Sequence, residues 1–333
     1  MQDRARKKAK IRKNISLDIY RILCYNTSVL RYRNEKNKVC LRAGLFYDDR
    51  VVSNMKLILG LDAGSSSTKL MAMTEDGAKF IVPMRMGPMT DHKSFCAALS
   101  RFAADNSMTV EDDFAYVAVT GGRATHVGEE ILGVPVRRIN EINAMSTGAL
   151  RFSSRKKGVV VNMGTGTAMV YAEEGKEPQH IFGSAVGGGT LMGLGSRLIG
   201  SANYTEIVHL ASKGDRTHAD VSIADMDFED VDTLDPRMTL SNFGKLRPED
   251  GVEAKDTAAA LVNLILEVVG TEAMLACRSV NCDTAIVAGT LADLPGSRET
   301  FDLFEKLCGI KFVKAGMPSF VTAAGALLCA MEG

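Results

Sequence analysis

What the chain lacks narrows the field first. No stretch offers roughly 18 uninterrupted apolar residues, so the sequence gives no transmembrane span. The richest candidate, 257–277, is interrupted by Asn263, Glu267, Gly270 and Glu272, and reads as a buried helix of a soluble domain. The seven cysteines are scattered without CxxC spacing, which argues for reduced thiols and a cytoplasmic protein. Cys277 and Cys282 read as small core hydrophobes. A GxxxxGK(S/T) loop is missing, which excludes the P-loop nucleotidases. No paired HRD and DFG phrases occur, which excludes protein kinases, and no HExxH or paired CxxC points to zinc.

Net charge is lacking too, since 40 Lys and Arg balance 40 Asp and Glu. The balance hides a split: residues 1–54 carry 14 basic against 5 acidic side chains, leaving 26 against 35 for the remainder. The basic opening has no long apolar core or small-residue cleavage site, so it is not a secretory signal. It reads as a disordered or non-native leader, with Met55 standing just before the first clear strand. No nucleic-acid or membrane partner is assigned to it.

From Met55 onward, apolar runs alternate with helical spacing, an α/β pattern in two halves. Strands are expected at 56–61, 68–73 and 79–82, the first two joined by a tight Gly/Ser turn into a hairpin. A helix over 92–106 places Phe95, Leu99 and Phe102 on one face. Strands at 114–119 and 134–139 follow, then a small-residue helix over 144–150. The opening pattern then recurs, with a strand at 158–163, a Gly164–Thr167 turn and a return strand at 168–172. Two glycine-turned hairpins about a hundred residues apart imply two similar domains, 55–155 and 156–333, with a nucleotide cleft between them.

The chemistry concentrates in the turns. Asp62, Ala63, Gly64, Ser65, Ser66, Ser67, Thr68 and Lys69 give a carboxylate at a strand end followed by hydroxyl and N–H donors. Such a turn wraps polyphosphate while the carboxylate holds Mg²⁺ or its waters, so Asp62 is the candidate metal ligand. Thr165 lies in the opposing turn. Three glycines, Gly187 to Gly189, run into Thr190, Leu191 and Met192, a helix start whose N–H groups can hold phosphate. A strand at 285–288 ends in Gly289-Thr290, a further place for the nucleotide.

These phrases, GLDAGSSSTKL, VTGGRA, NEINAMSTG, VNMGTGTAM, VGGGTLMGLG, LASKGDR, SNFGK and FVTAAGALL in that order, resemble the type II pantothenate kinases. The resemblance covers residues 55–333 and implies two actin-like (ribonuclease H-like) domains and phosphorylation of pantothenate by ATP with Mg²⁺. It places the catalytic base at Glu141, after the strand that follows the TGG turn, and adds Tyr204 to the nucleotide contacts. Where well-known members have an arginine, this chain has His180, which does not form a fixed charged fork. Gly122 and Arg123, beside the TGG turn, are therefore candidate substrate contacts together with His180. The resemblance also implies a homodimer. Alternative readings are an actin-like kinase for pantetheine or an amino sugar, an ATPase activating a radical dehydratase, and a non-catalytic nucleotide-binding relative.

Overall fold

The computed structural model describes residues 56–332 apart from 78–79, 227–234 and 248–250. The basic leader and Met55 lie outside the described residues. Strand β1 (Leu57–Ala63) is buried at every position, as its unbroken apolar run demands of a central strand. It turns through residues 64–67 into β2 (Thr68–Thr74), antiparallel from Leu57↔Thr74 to Ala63↔Thr68. β3 (Phe80–Met86) continues the meander. Helix α1 (His92–Asp105) starts at Asp91, whose side chain accepts the Ser94 N–H at 2.8 Å, and it buries Phe95, Leu99 and Phe102. Each such Phe contributes about 1.5–3 kcal/mol of apolar burial. A short α2 (Val110–Asp113) leads into β4 (Phe114–Thr120), and β5 (Glu130–Ile131) and β6 (Val134–Arg138) follow. The sheet order is β3-β2-β1-β4-β6-β5, with β4 parallel to β1 and β6 parallel to β4.

The second sheet repeats this plan. β7 (Lys157–Met163), β8 (Thr167–Glu173) and β9 (Gln179–Ser184) form an antiparallel meander. β12 (Thr284–Ala288) then lies parallel to β7, and β13 (Lys311–Lys314) parallel to β12. The order is β13-β12-β7-β8-β9. Between the meander and β12 run α4 (Gly188–Leu198), α5 (Tyr204–Ala211), the two-stranded β10 (Val221–Ser222) and β11 (Thr239–Ser241), and α6 (Ala254–Ser279). α7 (Ser297–Cys308) joins β12 to β13. By length and composition α6 could cross a membrane, but 61 % of its most apolar window is buried within the protein. Leu261, Ile265, Leu266, Val269 and Ala273 of α6 belong to the second core, with Val159, Val161 and Val287 of the sheet.

Helix α3 (Glu141–Ser153) begins three residues before the expected 144–150. The chain divides into residues up to Ala144 together with Thr322–Gly333, and Met145–Val321. The expected boundary at 155/156 thus falls inside the second unit, and the expected C-terminal domain loses its last helix to the first. That helix, α8 (Val321–Glu332), crosses β1 where Gly60 has no side chain; a Cβ there would stand 2.2 Å from the Ala323 carbonyl oxygen. Tyr116 of β4 anchors its far end by donating to the Ala330 carbonyl at 3.2 Å.

Candidate active site

In the first unit the β1–β2 register places Lys69 opposite Asp62, and Lys69 Nζ donates to Asp62 Oδ2 at 3.0 Å. Both side chains are nearly enclosed, 13 % and 8 % exposed, so this pair is not a solvent-screened surface bridge. Asp62 Oδ1 lies against Gly121, whose φ is +96° and where a Cβ would stand 2.7 Å from that oxygen. Only glycine leaves the carboxylate its room there. Ser65 and Ser66 are exposed on the turn, whereas Ser67 and Thr68 are buried. Arg123 closes the other side, its N–H donating to Ala63 O at 2.9 Å and its Nη1 to Met89 O at 3.2 Å. One arm of the guanidinium is thereby committed to holding a loop.

Glu141 is the first residue of α3, not a residue at a strand end. Asn140 caps the helix: its Oδ1 accepts the Ile142 and Asn143 N–H groups at 2.9 and 3.2 Å. The Asn-Glu pair is itself a helix-start signal. The Glu141 carboxyl is held above the usual carboxylate range, first by burial, then by the Asp62 charge, with Lys69 pulling it down. Its outer surface still reaches solvent, so the burial is partial. Asp62, Lys69 and Glu141 therefore form one electrostatic group in the first unit.

The second unit brings together Thr165, Gly188, Gly189, Thr190, Leu191, Met192, Tyr204 and Thr290. The helix-start N–H groups are not all open, as the sequence reading expected. Gly188 N donates to Gly164 O at 2.9 Å and Gly189 N to Thr165 O at 2.8 Å. A Cβ on Gly187 would sit 2.7 Å from Thr165 O, so these glycines let two loops lie backbone to backbone. Gly189 and Thr165 remain exposed on this seam. Tyr204 donates its hydroxyl to Thr290 O at 3.3 Å, which joins two residues expected to meet the nucleotide. Gly289, at φ +89°, passes 2.4 Å (as a Cβ) from Met163 O and brings the end of β12 onto the end of β7. His180 lies exposed on β9 opposite Val170.

One cluster went unread beyond its family phrases. Asp220 is fully buried; it accepts the Phe243 N–H at 2.9 Å and Asn263 Nδ2 at 3.1 Å, with Arg216 Nη1 at 3.6 Å. Asp256 of α6 accepts the Asp215 N–H and His218 Nδ1, both at 2.8 Å. Two buried carboxylates thus fasten the KGD and NFGK segments to α6. Apart from Arg216, four residues before Asp220, no local pattern announces such pairings, because the partners lie 23 to 43 residues apart.

Comparison with known proteins agrees with the sequence resemblance. A family model described as Fumble matches residues 158–294. A type II pantothenate kinase of Oceanobacillus iheyensis is 29 % identical over 255 residues, covering 74 % of this chain and 90 % of that protein. A type II pantothenate kinase of Staphylococcus haemolyticus is 26 % identical over 278 residues, covering 81 % and 98 %. Among solved structures, component A of the Acidaminococcus fermentans (R)-2-hydroxyglutaryl-CoA dehydratase superposes with a TM-score of 0.58 at 16 % identity, covering 83 % and 98 %. The ethanolamine utilization protein EutJ of Carboxydothermus hydrogenoformans gives 0.53 at 14 %, covering 83 % and 90 %. At such identities these two likenesses concern the fold alone. They bear out the α/β architecture of two actin-like units, and the chain is similar to type II pantothenate kinases over most of its length.

Proposed function

We propose, with that likeness as premise, that the protein transfers the γ-phosphoryl group of ATP to the primary hydroxyl of pantothenate. The observation that carries the reading is the enclosed Asp62–Lys69 pair with Glu141 beside it, a carboxyl held above its ordinary range by burial and by the Asp62 charge. Phosphoryl transfer asks a protein mainly for positioning and charge stabilisation, and for a base where the attacking oxygen loses its proton. Glu141 fits that last role, because it is a carboxylate in the same electrostatic group as Asp62 and Lys69 and a raised pKa makes it a stronger proton acceptor.

The residues present also fit Mg²⁺ and ATP. Mg²⁺ is held through one or two carboxylates plus phosphate oxygens and water, not by a protein cage. Asp62, with Oδ1 in the recess that Gly121 leaves open, is such a carboxylate. Bound there, the ion would neutralise phosphate charge. We assign ATP to the turn from Asp62 to Lys69, and to Thr165, Gly188 to Met192, Tyr204 and Thr290. Gly122, Arg123 and His180 are assigned to pantothenate. A homodimer in the cytoplasm is part of the same reading.

An ATPase activating a radical dehydratase through an iron–sulfur cluster would need cysteine ligands, but Cys277 and Cys282 are buried and burial pushes the Cys277 thiol up to about 12. A protonated core thiol does not favour cluster ligation. ADP release by the purified protein with pantothenate, pantetheine and N-acetylglucosamine tests the substrate. Turnover with pantothenate supports the proposal, and turnover with another alcohol alone replaces it. Asp62→Ala should abolish turnover with any of them; wild-type Mg²⁺ dependence in that variant would move the nucleotide site elsewhere.

A further inference from the structure

Among the described residues, the hydroxyls of Thr68 and Thr120 are buried in the first unit without a hydrogen-bond partner. Both residues are 0 % exposed. A buried hydroxyl without a partner is costly, and native structures carry few of them without a reason. The two differ in where they point. Thr68 pairs with Ala63, in register with Leu61↔Leu70 and Leu59↔Ala72, and those four flanking residues belong to the first core. Thr120 is the parallel-register partner of Asp62, which in turn faces Lys69. Thr120, Asp62 and Lys69 therefore share one face of the sheet, at the end where Gly121 makes room for the carboxylate.

In the ligand-free protein Lys69 satisfies Asp62 Oδ2. A divalent cation arriving at Asp62 repels the Lys69 ammonium, because two cations then compete for one carboxylate. The carboxylate loses its donor at the moment when its orientation matters most. A neutral hydroxyl on the adjoining strand can replace that donor without being repelled. We infer that Thr120 is a positioning residue for Asp62: its hydroxyl, idle in the free protein, donates to the Asp62 carboxylate once Mg²⁺·ATP displaces Lys69. This inference rests on the nucleotide reading above and deepens it.

The test uses the full chain with Thr120→Val, which keeps the shape and removes the hydroxyl, and Thr120→Ser, which keeps the hydroxyl. Thermal melting without ligand and calorimetric binding of Mg²⁺·ATP are measured for each. A hydroxyl used only in the loaded state predicts opposite signs. The Val variant melts at or above the wild-type temperature, since an idle polar group has gone, yet binds Mg²⁺·ATP on the order of tenfold more weakly. The Ser variant recovers the affinity. A Val variant that melts lower and binds Mg²⁺·ATP as the wild type does would make Thr120 purely structural and overturn the inference. Absence of Mg²⁺·ATP binding by the wild type would overturn the nucleotide reading and this inference with it.

Discussion

The two hairpin turns share a topology but are held in different ways. The first, 62–69, is held by charge and keeps polar groups in reserve: an enclosed Asp62–Lys69 pair and a buried hydroxyl beside it. The second, 164–167, is laced by backbone bonds, from Gly164 N to Gly166 O within the turn, and from Gly188 and Gly189 to it. One architecture therefore serves two purposes. On the proposed reading the charged turn responds to a ligand, by exchanging the Lys69–Asp62 bond for bonds to that ligand. The laced turn is a fixed platform, because the close approaches at Gly166 and Gly187 rely on a missing Cβ.

The sharpest way to break the comparison is Glu141→Gln, which removes the proposed base and keeps its shape. The expected fall in kcat is on the order of 10²–10⁴-fold with ATP affinity little changed. Stability should move the other way. The folded pKa of Glu141 is raised, so its contribution is fully present below its ordinary value of 4.5 and is lost as pH rises through the folded value. Melting curves should show the Gln variant above wild type at pH 7, the two converging in acid. A variant that turns over pantothenate normally would remove Glu141 from the mechanism.

The laced turn should fail differently. A Cβ at Gly187 must displace the backbone of Thr165 and Gly166, so Gly187→Ala should cost about 1–3 kcal/mol in denaturant unfolding and weaken nucleotide binding. Gly193, six residues further on within α4 and with nothing within 4 Å of its Cβ position, is the control. There, Ala should raise stability by roughly 0.5–1 kcal/mol. Equal losses at both positions would mean that helix propensity, not the seam, decides.

Asn140→Ala removes the cap beneath Glu141 and should cost about 1 kcal/mol, with a smaller loss of kcat than the Gln change at 141. The smallest effect belongs to the latch on α6. The Asp256 hydrogen bond raises the His218 pKa above 6.5, so that stabilisation is full below 6.5 and is lost as pH rises through the raised value. For Asp256, burial pushes up but the Asp215 N–H and His218 outweigh it. Its lowered pKa gives stability that is lost only as pH falls through it. His218→Ala should therefore melt below wild type at pH 6, and the gap should narrow by pH 9.

Much of this was legible in the residues. Both glycine-turned hairpins, the strand at 114–120 and the apolar face of α1 follow from local periodicity, which depends only on neighbours in sequence. The sequence names Asp62 and Lys69 as residues of one turn, and the observed hairpin register makes them face each other. Pairings between distant segments were not legible. Asp220 with Asn263, and Gly60 under Ala323, are settled by how whole elements pack. That the N–H groups of Gly188 and Gly189 at the start of α4 meet carbonyls of another loop was not legible for the same reason.

The return of α8 to the first unit has a consequence for how the molecule is made. Domains usually fold in the order in which they leave the ribosome. Here residues 145–321 are inserted before the segment that completes the first unit, so the half translated first is finished last. Until the final helix is released, β1 at Gly60 and β4 at Tyr116 lack the backbone that covers them. A stop codon that removes only 322–333 would therefore spare the younger half of the chain and cripple the older one, where Asp62 and Glu141 reside.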